Sequence, residues 1–530
     1  MGALSAAALS GTLPPFTASA HAETTPLSTP VPDGLEVFLE SARRSLPAPS
    51  GEPADLAAWE AAVHIRAGRL GASELVEACL RRIDRLDGEY LAFNHVMRDA
   101  SRRDAQRLDR QGPVGALHGI PIAVKDNYFT RGVPTTANSG VYENFVPDHD
   151  ATVIRRLVRS GGIMLGKTQM GPLATTRALT SDGRITTVNA WAVDEPDVSP
   201  GGSSSGSATA VAGRLATSSI GTQTGGSITG PALAQGLTAL KPTMGRVSLS
   251  GVIPLTYTRD HPGPLSRDAR DAAMLLQAMA GPDPTDPRTL GLPPVPDYLT
   301  AVTPVERGGR PGLRWPTRIG VTAEWTDHPS NGVRRARRGF LEEMERRGAE
   351  LVHLDLPARW EELTSRGLNH VRLPERSELF LDVLQRDVRL FGVALSSWIN
   401  GLLLSGDQYL KGQRARMALL QVVLDELFAE CDVIVQTSSI PFDMIGLPLI
   451  AFPITLEERS GRTLPRGVLL GGLPFGEERL LGVASAWQEG TDWHRRRPVD
   501  PPIGRDDRAE GAGGPARGRL GVEDVATYSA

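Results

Sequence analysis

DATVIRRLVRSGGIMLGKT, residues Asp150 to Thr168, can be parsed in two incompatible ways. Its last eight letters, from Gly161, match the phosphate-loop pattern G-x-x-x-x-G-K-[ST]. A phosphate loop is a turn that follows a strand and opens a helix, with backbone N–H groups free to face an anion. Here the element before the glycines reads as a helix, and Ile163, Met164 and Leu165 fill the loop positions. An apolar run of that kind is a buried strand whose hydrogen bonds go to its neighbours. The stretch is therefore helix then strand, half of an α/β unit, and no nucleotide site is predicted.

The same alternation extends outward. GIPIAVKDN (119–127) reads as another buried strand. Ser73–Asp87 carries Leu75, Val76, Cys79, Leu80, Ile83 and Leu86 at helical spacing, with Ser73 as a cap. RIGVTAEWT, NGVRRARRGFLEEMERRGAE and ELVHLDLP read as strand, helix, strand, and a helical region over 375–430 precedes the strand DVIVQTS. Helices alternating with apolar strands indicate an α/β fold: one large domain over 57–498, its central mixed β-sheet covered by helices on both faces. Residues 23–56 are Pro-rich and read as irregular, and 499–530 as a disordered tail. Residues 1–22 end in Ala20-His21-Ala22, an A-x-A pattern that predicts a signal peptide and export, although no basic residue precedes Arg43. No apolar run approaches a membrane span.

Composition narrows the function. A net charge of −4 over 530 residues offers no basic face for nucleic acid. Cys79 and Cys431 are too few for a disulfide framework or a cysteine metal site, and each sits among apolar neighbours as a buried free thiol. Of 57 basic residues only Lys125, Lys167, Lys241 and Lys411 are lysine. Lysine can lose its proton near neutral pH and arginine cannot, so a surviving lysine is a candidate base.

A second stretch, SPGGSSSGSATAVAGRLATSSIGTQTGGS (Ser199–Ser227), carries the chemistry. GSSSG places Ser204 in the G-x-S-x-G pattern of a Ser-Asp-His hydrolase, but the acidic, proline-punctuated VDEPDVSP before it is no strand. GGS occurs twice, ending at Ser203 and Ser227. With GIPIAVKDN, DATVIRRLVRSGGIMLGKT, SPGGSSSGSA, GTQTGGSI, LKPTMGRVS, PLSRDARDAAMLLQAMAG and LPFGEERLLGVASAWQ in order, the chain from about Trp59 to Arg497 resembles the amidase signature family.

That resemblance implies amide hydrolysis by a Ser–Ser–Lys triad, with Ser227 as nucleophile, Ser203 as relay and Lys125 as base. It also implies a cis peptide between Gly202 and Ser203. Backbone N–H groups of Thr224, Gly225, Gly226 and Ser227 become the oxyanion hole, since glycine permits the tight turn. Lys125 must be neutral to take a proton, which burial beside its apolar strand would achieve. Ser205 and Ser207 are expected to cap a helix, and the other three lysines to have no chemical role. No cofactor or metal is implied, and the partner is a small-molecule amide, not nucleic acid; whether the chain forms a homodimer stays open. Where many family members read GTDTGGSIR, this chain has Gln223 for Asp and Thr229 for Arg. Loss of that arginine removes a cation near Ser227 and favours a mostly neutral amide. Within the family the alternative is an amidotransferase A-type subunit, which works on tRNA with partner subunits. Outside it stand the Ser204 hydrolase and a binding protein that retains the fold without activity.

Overall fold

The computed structural model describes residues 33–502 apart from 47, 48, 50, 181, 308, 370 and 460. The predicted leader over 1–22 lies outside the described residues. Strands run in chain order as β1 (Phe93–Val96), β2 (Pro121–Lys125), β3 (Ile163–Thr168), β4 (Ser218–Gln223), β5 (Thr238–Lys241), β6 (His261–Ser266), β7 (Glu306–Arg307), β8 (Arg310–Pro311), β9 (Thr317–Thr322), β10 (Ala349–Leu354), β11 (Val433–Gln436), β12 (Leu449–Arg459) and β13 (Arg462–Gly472). Apart from the small β7–β8 ribbon they form one eleven-stranded sheet, ordered β1-β3-β2-β4-β6-β5-β12-β13-β11-β9-β10. It is mixed: β2 is parallel to β3 and β4, and β9 to β10 and β11, while the pairs between these groups are antiparallel.

Two cores lie on opposite faces of this sheet, as the period-two alternation of strands requires. Ile122 and Val124 enter one core and Ala123 the other; Val433 and Val435 part from Ile434, and Ile450 and Phe452 from Ala451. Helices Ala58–Arg66, Ala269–Met279, Asn331–Arg346 and Glu477–Glu489 cover the first face. Helices Ala72–Tyr90, Ser205–Ala212 and Gly406–Val422 cover the second. Among the described residues no helix is long and apolar enough to cross a membrane.

β3 is buried along its whole length and paired on both edges, which removes the phosphate-loop pattern from consideration. Its Lys167 donates to the Tyr128 carbonyl and Thr135 Oγ1, both at 2.7 Å, and pairs with Asp126 at 3.2 Å. Both cysteines are buried and free.

Four expectations need correction. Residues 23–56 are not wholly irregular: a helix spans Asp33–Ser45 and buries Leu35, Phe38 and Leu39, spaced i, i+3, i+4, in the first core. Ser73 does not cap its helix. The carboxylate of Asp109 accepts from the N–H groups of Ala72 (2.6 Å) and Ser73 (3.0 Å), satisfying free donors from another element. Of the tail read over 499–530, residues 503–530 lie outside the described residues, and at its start Asp500 is bound by the Arg82 guanidinium at 2.6 and 3.0 Å. The region 375–430 is helical only in pieces, broken at extended Asp387 (φ −156°) and at Gly392 (φ 55°). Its first pieces pack Phe380, Leu384, Phe391 and Trp398 against Met170, Leu173, Ile253 and Leu255, forming a third core that roofs one end of the sheet.

Candidate active site

Lys125 ends β2, fully buried, and Ser203 stands on the turn that enters helix Ser205–Ala212. The two meet: Lys125 Nζ lies 2.8 Å from Ser203 Oγ, 2.9 Å from Thr222 Oγ1 and 3.1 Å from the Thr222 carbonyl. A neutral amine has two N–H groups to give and one lone pair to receive. The Thr222 carbonyl and hydroxyl can take the two N–H groups, leaving the lone pair for the Ser203 hydroxyl proton. Burial pushes the Lys125 ammonium down to about 7, against an opposing pull from the Asp260 carboxylate. A neutral amine is thus accessible near neutral pH.

The Gly202–Ser203 peptide is cis. A Cβ on Gly202 would fall 2.5 Å from the Thr176 carbonyl oxygen, so no larger residue fits there. Ser204 N–H donates to the Ser227 carbonyl at 3.3 Å, joining this turn to the one that carries the second serine. Ser227, Gly202, Thr224, Gly225, Thr175, Thr176 and Leu255 line one narrow cleft. Roomier clefts lie beside helix Asn331–Arg346 and beside β11, and neither contains a predicted site residue.

The turn Thr224–Ser227 departs from expectation at one position. Gly226 adopts φ +83°, which only glycine takes without strain. Its N–H, however, donates to Asp443 Oδ2 at 2.9 Å and is not available to an oxyanion. The N–H groups of Thr224, Gly225 and Ser227 have no protein acceptor among the described residues. Of the four N–H groups expected to face an oxyanion, three therefore have no acceptor within the protein among the described residues.

Other serines are accounted for. Ser204, fully buried, turns its hydroxyl toward the Thr222 carbonyl at 3.4 Å, and among the described residues no histidine or carboxylate contacts it, so the nucleophile-elbow alternative fails on geometry. Ser205 and Ser207 do not cap the helix. They sit within it and fasten it down, Ser205 to the Gly201 carbonyl at 2.7 Å and Ser207 to the Ile220 carbonyl at 3.1 Å.

Several site residues were missed. Thr222 lies inside the quoted GTQTGGS and could have been read from strand alternation, which places it two residues from Thr224 on the same side. Asp443 accepts from Gly226 N–H and, at 2.8 Å, from Gln223 Nε2; nothing in PFDM signalled this. Gln223 Oε1 in turn accepts from the N–H groups of Ile228 (2.8 Å) and Thr229 (2.9 Å), and from the Thr229 hydroxyl at 3.1 Å. The two departures from GTDTGGSIR thus touch each other. Three arginines also reach the site: Arg259 donates to the Thr224 carbonyl at 3.0 Å, and Arg372 and Arg376 line the cleft from the roofing helix Arg372–Leu379.

A family model described as Amidase matches residues 74–438. The A-type subunit of glutamyl-tRNA(Gln) amidotransferase from Anaeromyxobacter sp. (strain K) is 35% identical over 495 residues, covering 83% of this chain and 96% of that protein. Native peptide amidase from Stenotrophomonas maltophilia superposes with a TM-score of 0.72 at 28% identity, over 86% of this chain and all of that one. A chain from a vestigial protein complex tied to the origins of an s-triazine catabolic enzyme gives a TM-score of 0.71 at 26% identity, over 82% and 98%.

Proposed function

The chain belongs to the amidase family and acts on amide C–N bonds, and we propose that it hydrolyses carboxamides through an acyl-Ser227 intermediate. The observation that carries this reading is the buried amine of Lys125 at 2.8 Å from Ser203 Oγ, beside a cleft that Ser227 lines. Neutral Lys125 accepts the Ser203 hydroxyl proton while Ser203 Oγ takes the proton of Ser227. The Ser227 oxygen then attacks the amide carbon. Negative charge on the former carbonyl oxygen is met by the free N–H groups of the 224–227 turn. The proton returns through Ser203 to the leaving nitrogen, the C–N bond breaks, and water releases the acid by the same path in reverse.

A second reading is favoured by one fact: the amidotransferase relative is more similar in sequence than the peptide amidase. On that reading the chain would work within an assembly of several different chains. Turnover of a simple amide by the purified chain alone separates the two.

A fluorophosphonate probe followed by peptide mapping should label Ser227. Because the working form of Lys125 is the unprotonated one, kcat/KM on a neutral amide should rise about tenfold per pH unit below 7 and level off above it. Lys125→Arg should be about as damaging as Lys125→Ala, since neither supplies a removable proton. Label on Ser204, or an active Lys125→Arg enzyme, would overturn the scheme.

A further inference from the structure

Loss of arginine at position 229 predicts a cleft without a cation. The structure supplies one from elsewhere. Arg372 is only 9% exposed, yet its guanidinium has no hydrogen-bond or salt-bridge partner among the described residues. Buried guanidinium groups are normally paired, because an unpaired buried charge is costly. This one faces the reacting centre. Its Nη1 lies 3.7 Å from where a Cβ on Gly225 would stand, and its side chain lines the same cleft as Ser227.

Asp443 attracts it through charge, but no neighbouring carboxylate among the described residues is hydrogen-bonded to it. Asp443 is committed to Gly226, Gln223 and, at 3.8 Å, the buried Lys241, Asp260 to Thr224, Leu255 and Thr256, and Glu375 to Thr258, Tyr409 and Gln413. Arg376, one helical turn further on, donates to Ser397 Oγ at 2.8 Å and stacks over Trp398, adding a second positive charge behind the first. Burial, then repulsion from Arg376, pushes Arg372 down to about 9 against the attraction of Asp443, which leaves it charged at neutral pH. The missing element is an anion that enters from the cleft.

We propose that Arg372, backed by Arg376, is the subsite for a carboxylate of the substrate. The amide cleaved at Ser227 then carries a carboxylate a few bonds from the scissile carbonyl, on either its acyl or its amine part. Arginine's planar fork matches a carboxylate in two parallel hydrogen bonds, which gives the subsite orientation as well as attraction. The inference rests on Ser227 being the nucleophile.

Two matched pairs of amides test it with the purified full chain: succinamate against butyramide, and N-acetylglycine against N-ethylacetamide. The wild type should prefer the charged member of at least one pair, and which pair tells whether the carboxylate sits on the acyl or the amine side. Arg372→Gln should cut the charged-to-neutral ratio of kcat/KM about 10- to 100-fold, mainly through KM, and Arg372→Lys should restore part of it. Succinate should also slow fluorophosphonate labelling of Ser227 in the wild type but not in Arg372→Gln, a readout that needs no turnover. No charge preference in either pair, or an equal loss on charged and neutral amides, overturns the subsite. Absence of label on Ser227 would instead sink the reading beneath it.

Discussion

Asp443 shows how a single buried acceptor shapes the reacting turn. It holds two donors at once, the Gly226 N–H and the Gln223 side-chain amide, while Gln223 anchors the N–H groups of Ile228 and Thr229. Taking the Gly226 N–H out of the cleft fixes the plane of the turn. Asp443→Asn offers one acceptor and one donor to two donors, so a buried pair must face donor to donor. Such a mismatch costs about 1–3 kcal/mol and should appear in kcat, roughly 5- to 150-fold lower, with KM little changed. The compensating change is Gln223→Glu. Its carboxylate can accept from Ile228, Thr229 and the new side-chain amide at position 443, leaving the carbonyl of that amide for Gly226. The double variant should therefore recover most of the lost kcat. Additive losses in that cycle would show that Asp443 acts otherwise than through this hydrogen-bond count.

At the scale of elements, what eluded the sequence has physical causes. Strand β6 is HPGPLS, and two prolines argue against a central strand because neither can donate to a ladder. It pairs with β4 over five residues but with β5 only at Leu265 and Ser266, stopping one residue short of Pro264. β4, SSIGTQ, was hidden by its small polar residues, which are buried nonetheless: Ser219 donates to the Ser207 carbonyl at 2.9 Å, while Ser218 Oγ is buried without a partner among the described residues. The helix Asp33–Ser45 was hidden by the prolines around it, although Leu35, Phe38 and Leu39 form an apolar stripe. If that stripe is part of the core, Phe38→Ala should destabilise the protein by about 3–5 kcal/mol, seen as a lower urea midpoint. An unchanged midpoint would mean that the helix only rests on the surface.

Across the whole molecule, legibility followed the range of the interaction. Lys125, Ser203, Ser227 and the glycine turn could be named as candidates because their motifs are local and follow one another in a recognisable order. The mixed sheet followed from local alternation of apolar strands and helices. Asp443 and Asp500 were not readable, because each acts on a partner far away in sequence and nothing nearby declares its direction; Arg372 was not, because it reaches the cleft from a helix remote from the glycine-serine motifs. The Arg82–Asp500 pair spans 418 residues. Arg82 is a nearly buried cation that also donates to the carbonyls of Gly213 (2.9 Å) and Arg214 (3.1 Å), so it clasps the segment at Asp500, helix Ala72–Tyr90 and the loop before β4. Asp500 is about one-third exposed, and the pair is therefore weaker than a fully buried one. Burial works against the Asp500 carboxylate, but the hydrogen bond from Arg82 and the charge of Arg214 outweigh it and hold the group below its usual range. A carboxylate depressed in the folded state stabilises above its unfolded pKa, and that contribution fades as pH falls through the folded value. Ending the chain after Pro498 should leave Arg82 without its anion and lower stability by about 1–3 kcal/mol at pH 7, with the difference from the full chain shrinking in strong acid. Asp500→Asn should reproduce most of that loss, because it keeps the backbone and removes only the charge. Equal unfolding midpoints for the full and shortened chains at pH 7 would show that the clasp carries no stability.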